Sequence, residues 1–187
     1  MRRFTLVAMA LAAAATSASA QTPVAVAQFD QIELRGGGSV TVRQGAAQRV
    51  TMVRGDSSLT RFRVVGDRLI IDACIRSCSD YDLEVEIVVP SVEAVAITGG
   101  GVIRAQSGFA PRRALALAVN GGGLLDFGAV DATEVAAAVR GGGQIRTRAR
   151  ASLAASVQGG GLVTYWGDPR VTSSVQGGGA VRAGGTG

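Results

Sequence analysis

Six glycine triplets, beginning at Gly36, Gly99, Gly121, Gly141, Gly159 and Gly177, punctuate this sequence, and the last five stand 22, 20, 18 and 18 residues apart. A chain repeating at such a period builds its fold from stacked copies of one unit. The clearest copy is Ser156-Val157-Gln158-Gly159-Gly160-Gly161-Leu162-Val163-Thr164. Aligned on the first glycine, the position two residues upstream is Leu34, Ile97, Val119, Val139, Val157 and Val175, aliphatic in all six copies. The position two residues past the last glycine is Val40, Ile103, Leu125, Ile145, Val163 and Val181, again aliphatic throughout. Polar residues or arginines sit directly before the glycines: Arg35, Thr98, Asn120, Arg140, Gln158 and Gln176. This alternation reads as two short strands per copy, joined at a glycine corner, with the apolar side inward.

A corner repeated in every coil turns sharply, often through positive φ, with its neighbours about 4.8 Å above and below. Side chains there would collide. Identical aliphatic residues then pile into ladders, and no copy buries its face alone. The expectation is an all-β, single-domain β-solenoid (β-helix) over residues 28–183, with a broader N-terminal β portion. The competing reading is helical, because Thr133 to Val139 and the alanines near Ala114 have good helix propensity. The valine ladder runs through alanine-rich and serine-rich copies alike, which favours strands, and small residues would fit a narrow coil interior.

Before Gly99 the copies are less regular. Phe29 to Leu34, Ser39 to Arg43, Arg49 to Arg54, Leu59 to Val65, Arg68 to Ala73 and Asp82 to Val89 each alternate or run apolar between turn residues. The 63 residues from Gly36 to Gly99 leave room for about three coils of the later size.

At the N-terminus a basic Met1-Arg2-Arg3, an apolar run from Phe4 to Ala15 and Ala18-Ser19-Ala20 form a secretory signal peptide, residues 1–20. Residues 21–27 read as a linker and 184–187 as a frayed tail. No other segment is long and apolar enough to span a membrane as a helix, so the mature chain is expected to be exported: periplasmic, outer-membrane-associated or secreted. Removing Arg2 and Arg3 leaves 17 arginines against 14 carboxylates, a net +3. That excess, without lysine runs or interleaved aromatics, argues against nucleic acid as a partner.

The row Asp80, Asp82, Glu84 and Glu86 alternates with Tyr81, Leu83, Val85 and Ile87, placing four carboxylates on one strand face. Such a row could ligate a hard cation; the plainer reading is a charged outer face matched by Arg61 and Arg63. Cys74 and Cys78 are the only cysteines. In an exported chain they are expected to form a disulfide pinning a loop. A zinc site would need further ligands, and the chain has no histidine. Three residues past each triplet, Asp126 falls between Arg104 and Arg146 if coils stack in sequence order. Tyr165 and Trp166, on a turn between the last two coils, are the candidate binding surface, or else a cover over the end of the core.

No histidine and no lysine occur, which removes the usual general base and Schiff-base nucleophile. No triplet completes a phosphate-binding loop. Paired carboxylates or arginine could still serve a polysaccharide hydrolase or lyase. Asp126, Asp131 and Glu134, the acidic group considered in the repeat half, make no convincing constellation.

The pattern Phe29-x-x-Ile32-x-Leu34-x-Gly36, then Leu69-Ile70-Ile71, Val88-Val89-Pro90, the recurring glycine corners and Tyr165-x-Gly167-x-Pro169 resemble the putative autotransporter-adhesin head domain family, also called GIN domains. The resemblance spans residues 28 to 183. It implies a β-helix of exported bacterial proteins with an adhesin label and no established catalytic residues. The expected function is therefore a non-catalytic envelope or surface protein with an adhesin-like binding or scaffold role. It takes no cofactor, and its partner is an envelope component or a glycan. The alternative is a polysaccharide-active enzyme. The uncovered edge of a last coil, with small residues such as Ser173, Ala180 and Ala183, also suggests self-association.

Overall fold

The computed structural model describes residues 21–76, 78 and 81–185. The expected signal peptide lies outside the described residues, as do Asp80 and the last two residues. Among the described residues the chain is all-β, without a helix, and its strands form one fifteen-stranded sheet. In chain order they are β1 (Thr22–Val24), β2 (Gln31–Gly36), β3 (Ser39–Gln44), β4 (Arg49–Arg54), β5 (Arg61–Val65), β6 (Arg68–Asp72), β7 (Glu84–Val89) and β8 (Ala94–Gly99). There follow β9 (Val102–Ala105), β10 (Arg112–Gly121), β11 (Leu124–Gly141), β12 (Gln144–Gln158), β13 (Leu162–Trp166), β14 (Arg170–Gln176) and β15 (Ala180–Ala183).

Two parallel ladders organise the sheet. One runs β6, β2, β8, β10, β11, β12, β14. The other runs β7, β3, β9, β11, β12, β13, β15. The long strands β11 and β12 belong to both. The aliphatic columns lie in register: Leu34, Ile97, Val119, Val139, Val157 and Val175 are successive partners in the first ladder. In the second, Val40, Ile103, Leu125, Ile145, Val163 and Val181 are successive partners. Except for Val175 and Val181 in the last layer, these side chains are buried in one continuous core. The segment Val135 to Val139 lies within β11, so the helical reading is excluded. Its alanines are weakly disposed to strand, but two neighbouring strands hold them there.

The corners work as the repeat implies, with one refinement. The first glycine of every triplet has φ between 94° and 127°. A Cβ on Gly159 would stand 2.7 Å from the Gly141 carbonyl oxygen below it. The middle glycines Gly122, Gly142, Gly160 and Gly178 have open space where a side chain would go. Crowding therefore constrains the outer two glycines of these triplets and spares the middle one.

The N-terminal portion departs from stacking in sequence order. Gly36 pairs directly with Gly99, so the 63 intervening residues do not add coils between them. Instead β6 and β7 form a layer on the far side of β2 and β3, and the chain then crosses back to β8. Three further strands are antiparallel: β5 on β6, β4 on β7, and β1 on β4. β1 occupies part of the segment expected as a linker, because β4 leaves an edge that Thr22–Val24 can pair with. In the β6–β7 layer the glycine corner is replaced by residues 73–83. Ala73 and Leu83 rest against Gly36 and Gly38, and this connection carries the Cys74–Cys78 disulfide.

Candidate functional site

Alternation along the first ladder sends one set of side chains into the core and the other to solvent. Leu115, Leu117 and Val119 of β10 are buried, while Ala114, Ala116, Ala118 and Asn120 are exposed. The same parity continues across the stack. Ala94, Ala116, Ala136, Ala154 and Thr172 are partners in one outward column, and Ala96, Ala118, Ala138, Ser156 and Ser174 in the next. Small side chains leave the sheet surface low there. The result is a shallow trough of about 570 Å³ across β8, β10, β11, β12 and β14, floored by these residues and closed at one end by Arg68.

Taller polar side chains wall the trough. Thr98, Asn120, Arg140, Gln158 and Gln176 stand in register on the corner side. Glu93, Arg112, Arg113, Glu134 and Arg170 line a contiguous hollow of about 640 Å³ on the other. An apolar floor with polar side chains along one margin and charged ones along the other has the form of a ligand-binding surface. The expectation that small residues fill a narrow interior therefore holds for only part of the set: Ala137 and Ala155 are buried, but their neighbours Ala136, Ala138 and Ala154 face out. The signal for this was the parity shared with the polar column before each triplet.

The outer face of the second ladder is charged. Asp126 is flanked by Arg104 and Arg146 in adjacent strands, as the repeat alignment implied, and Arg146 approaches its carboxylate at 3.5 Å. Asp131 pairs with Arg148 and Arg150. Both carboxylates are thus held by guanidinium groups.

Of the acidic row, Glu84 and Glu86 lie on β7 and Asp82 just before it. Their neutralising partners are not Arg61 and Arg63, because β5 forms a hairpin with β6, where Arg63 meets Asp72 at 3.2 Å. Instead β4 and β3 flank β7: Arg54 bonds Asp82 at 2.6 Å and reaches Glu84 at 3.9 Å, and Arg43 bonds Glu86 at 3.0 Å. The hydrogen bond that Arg54 donates to the Asp82 carboxylate raises the Arg54 pKa above its ordinary value. Among the described residues no three His, Cys, Asp or Glu side chains gather as a metal-binding group.

The disulfide loop is fastened from β4 and the turn after it. The Tyr81 hydroxyl accepts the Asp56 N–H at 2.6 Å and lies 2.5 Å from the Thr60 hydroxyl. The Ser58 hydroxyl and N–H hold the Asp56 carboxylate below its ordinary pKa.

Tyr165 and Trp166 end β13, away from the trough. Tyr165 packs against the core. The Trp166 indole lies beside Gly128 and Gly184 and donates its N–H to the Gly185 carbonyl at 3.1 Å. Gly184 in turn donates to the Tyr165 carbonyl at 2.7 Å. Both rings are half-buried, leaving only part of each face for a ligand.

The family model described as "Putative auto-transporter adhesin, head GIN domain" matches residues 28–114 and 112–169. Among solved structures, the chain is similar to a putative adhesin from Bacteroides fragilis NCTC 9343, with a TM-score of 0.54 and 18% identity, over 88% of this chain and 96% of that one. A putative adhesin from Parabacteroides merdae ATCC 43184 matches with a TM-score of 0.41 and 14% identity over 88% and 95% of the two chains. A putative lipid binding protein from Parabacteroides distasonis ATCC 8503 matches at 0.36 and 16%, over 88% and 96%. No curated protein matches the sequence. Among the described residues no helix is long and apolar enough to cross a membrane.

Proposed function

The chain belongs to the putative auto-transporter adhesin head GIN domain family, and from that premise we propose that it is an exported, non-catalytic β-solenoid that binds an envelope component or glycan. In this reading the two parallel ladders are successive faces of one coil, and the β6–β7 layer with its antiparallel strands is the closed end. The observation that carries the functional reading is the trough, whose floor leaves a mostly apolar surface open between a polar margin and a charged one. A concave, mostly apolar surface with a few polar groups at its margin is the usual form of a binding site. The pairing of Asp126 and Asp131 with arginines supports a non-catalytic role.

The ligand would lie across the strands, touching several layers at once. Two measurements test this: retention of envelope fractions on immobilised protein, and binding to a glycan array. Ala118→Arg and Ala138→Arg change outward side chains and should abolish binding while leaving the melting temperature within a few degrees. Binding that survives both but is lost in Trp166→Ala would move the site to the β13 turn. Cleavage of an acidic polysaccharide, removed by Asp131→Asn or Arg150→Gln, would establish the enzymatic alternative instead.

A further inference from the structure

The two ends of the stack are finished differently. At the N-terminal end, edge strand β1 contains Pro23, which has no N–H to offer, and edge strand β5 carries Arg61 and Arg63. Proline and charge are the usual guards of a sheet edge. At the other end β14 pairs only with β12, and β15 only with β13. Val171 and Val175 occupy the inward columns of Leu153 and Val157. They are 36% and 42% exposed, against 1% and 0% for those partners.

The edge of β14 has a definite pattern. The Gln176 carbonyl accepts from Gly159, so Gln176 and alternate residues direct their backbone groups toward β12. Val171, Ser173 and Val175 direct theirs away, and their side chains face the core side. The strand is also self-complementary about Ser173: Val171 mirrors Val175, Thr172 mirrors Ser174, and Arg170 mirrors Gln176.

We propose that β14 is the interface of a closed two-fold dimer, pairing antiparallel with β14 of a second copy about Ser173. In that register each outward-directed residue exchanges both backbone hydrogen bonds with its mirror partner. Val171 of one copy covers Val175 of the other, completing the dry interior at the end of each stack, and no like charges meet. A slip by two residues places Val171 opposite Ser173 or Gly177 and loses both valine pairings, so the register is specified. The same patch serves both copies, so the two-fold contact closes on itself at two chains. The inference depends on strand register and edge chemistry, not on what the trough binds.

Light scattering on the protein purified from the periplasm of an expressing host, over a wide concentration range, tests it. The expected result is a mass rising from one chain to two and no further. Ser173→Pro removes an N–H that points at the partner but makes no bond within the chain. It should give a monomer with an unchanged far-UV spectrum. Should that variant misfold, Ser173→Cys offers a second test: mild oxidation should convert it to a covalent dimer, with no such product from Ser107→Cys on an exposed loop. A constant monomeric mass, growth beyond two chains, or equal cross-linking of both cysteine variants would overturn the proposal.

Discussion

Substituting the three glycines of one corner separates crowding from mere flexibility. At Gly159 φ is +112°, and an added Cβ would meet the Gly141 carbonyl oxygen at 2.7 Å. An L-residue held in that region costs about 1–3 kcal/mol before any contact is counted. The oxygen belongs to the backbone of the next layer and cannot swing aside. Gly159→Ala should therefore lose about 3 kcal/mol, at the upper end of that range. For a domain of this size that lowers the midpoint by about 6–12 °C. Gly161→Ala would press on the Val139 side chain and approach the Gly143 carbonyl oxygen at 2.8 Å, an overpacking worth about 1–3 kcal/mol. Gly160→Ala meets nothing within 4 Å and should stay within about 0.5 kcal/mol of the parent. Thermal melts followed by far-UV circular dichroism give the ranking. If Gly160→Ala proves as damaging as Gly159→Ala, the stacked-corner explanation of the triplets is wrong.

Other substitutions probe separate parts of the structure. Asp126→Arg places a third guanidinium between Arg104 and Arg146, and urea titration should show it less stable than Asp126→Ala by about 0.5–1 kcal/mol. Equal midpoints would refute the charge column. Thr147 is fully buried between Phe127 and Tyr165 in the second ladder, and its hydroxyl has no hydrogen-bond partner among the described residues. Thr147→Val should raise stability by about 1 kcal/mol, since an unsatisfied buried hydroxyl carries a penalty of that order; a loss in the same titration would contradict this. Replacing Cys74 and Cys78 together by serine should cost about 2 kcal/mol, the loop-closure value for so short a span. Mass spectrometry of the parent should find no free thiol.

The repeat half was legible because each layer faces the same constraints. A glycine is needed wherever a corner is crowded, and an aliphatic side chain wherever Val139 has Val119 on one side and Val157 on the other. Those requirements recur in sequence and can be aligned. The Cys74–Cys78 pairing was legible from the expected export and from there being just two cysteines. The β6–β7 layer was not, because its corner is the 73–83 connection, which carries no glycine triplet and gives nothing to align. Nothing in local alternation says whether Asp82 will meet Arg54 or Arg63. That depends on β4 lying beside β7 while β5 turns onto β6. The trough was hidden for a different reason: alanine is apolar enough to be read as core, and only its parity with Asn120 and Arg140 reveals that Ala118 and Ala138 face solvent.

The account rests on side chains from successive triplets touching one another across about 4.8 Å of strand spacing. A nuclear Overhauser spectrum of protein labelled only at valine methyls tests this directly. Val139 should give cross-peaks to both Val119 and Val157, Val157 should give a further one to Val175, and none should join Val119 to Val175. Absence of contact between Val139 and either neighbour would contradict the stacked architecture.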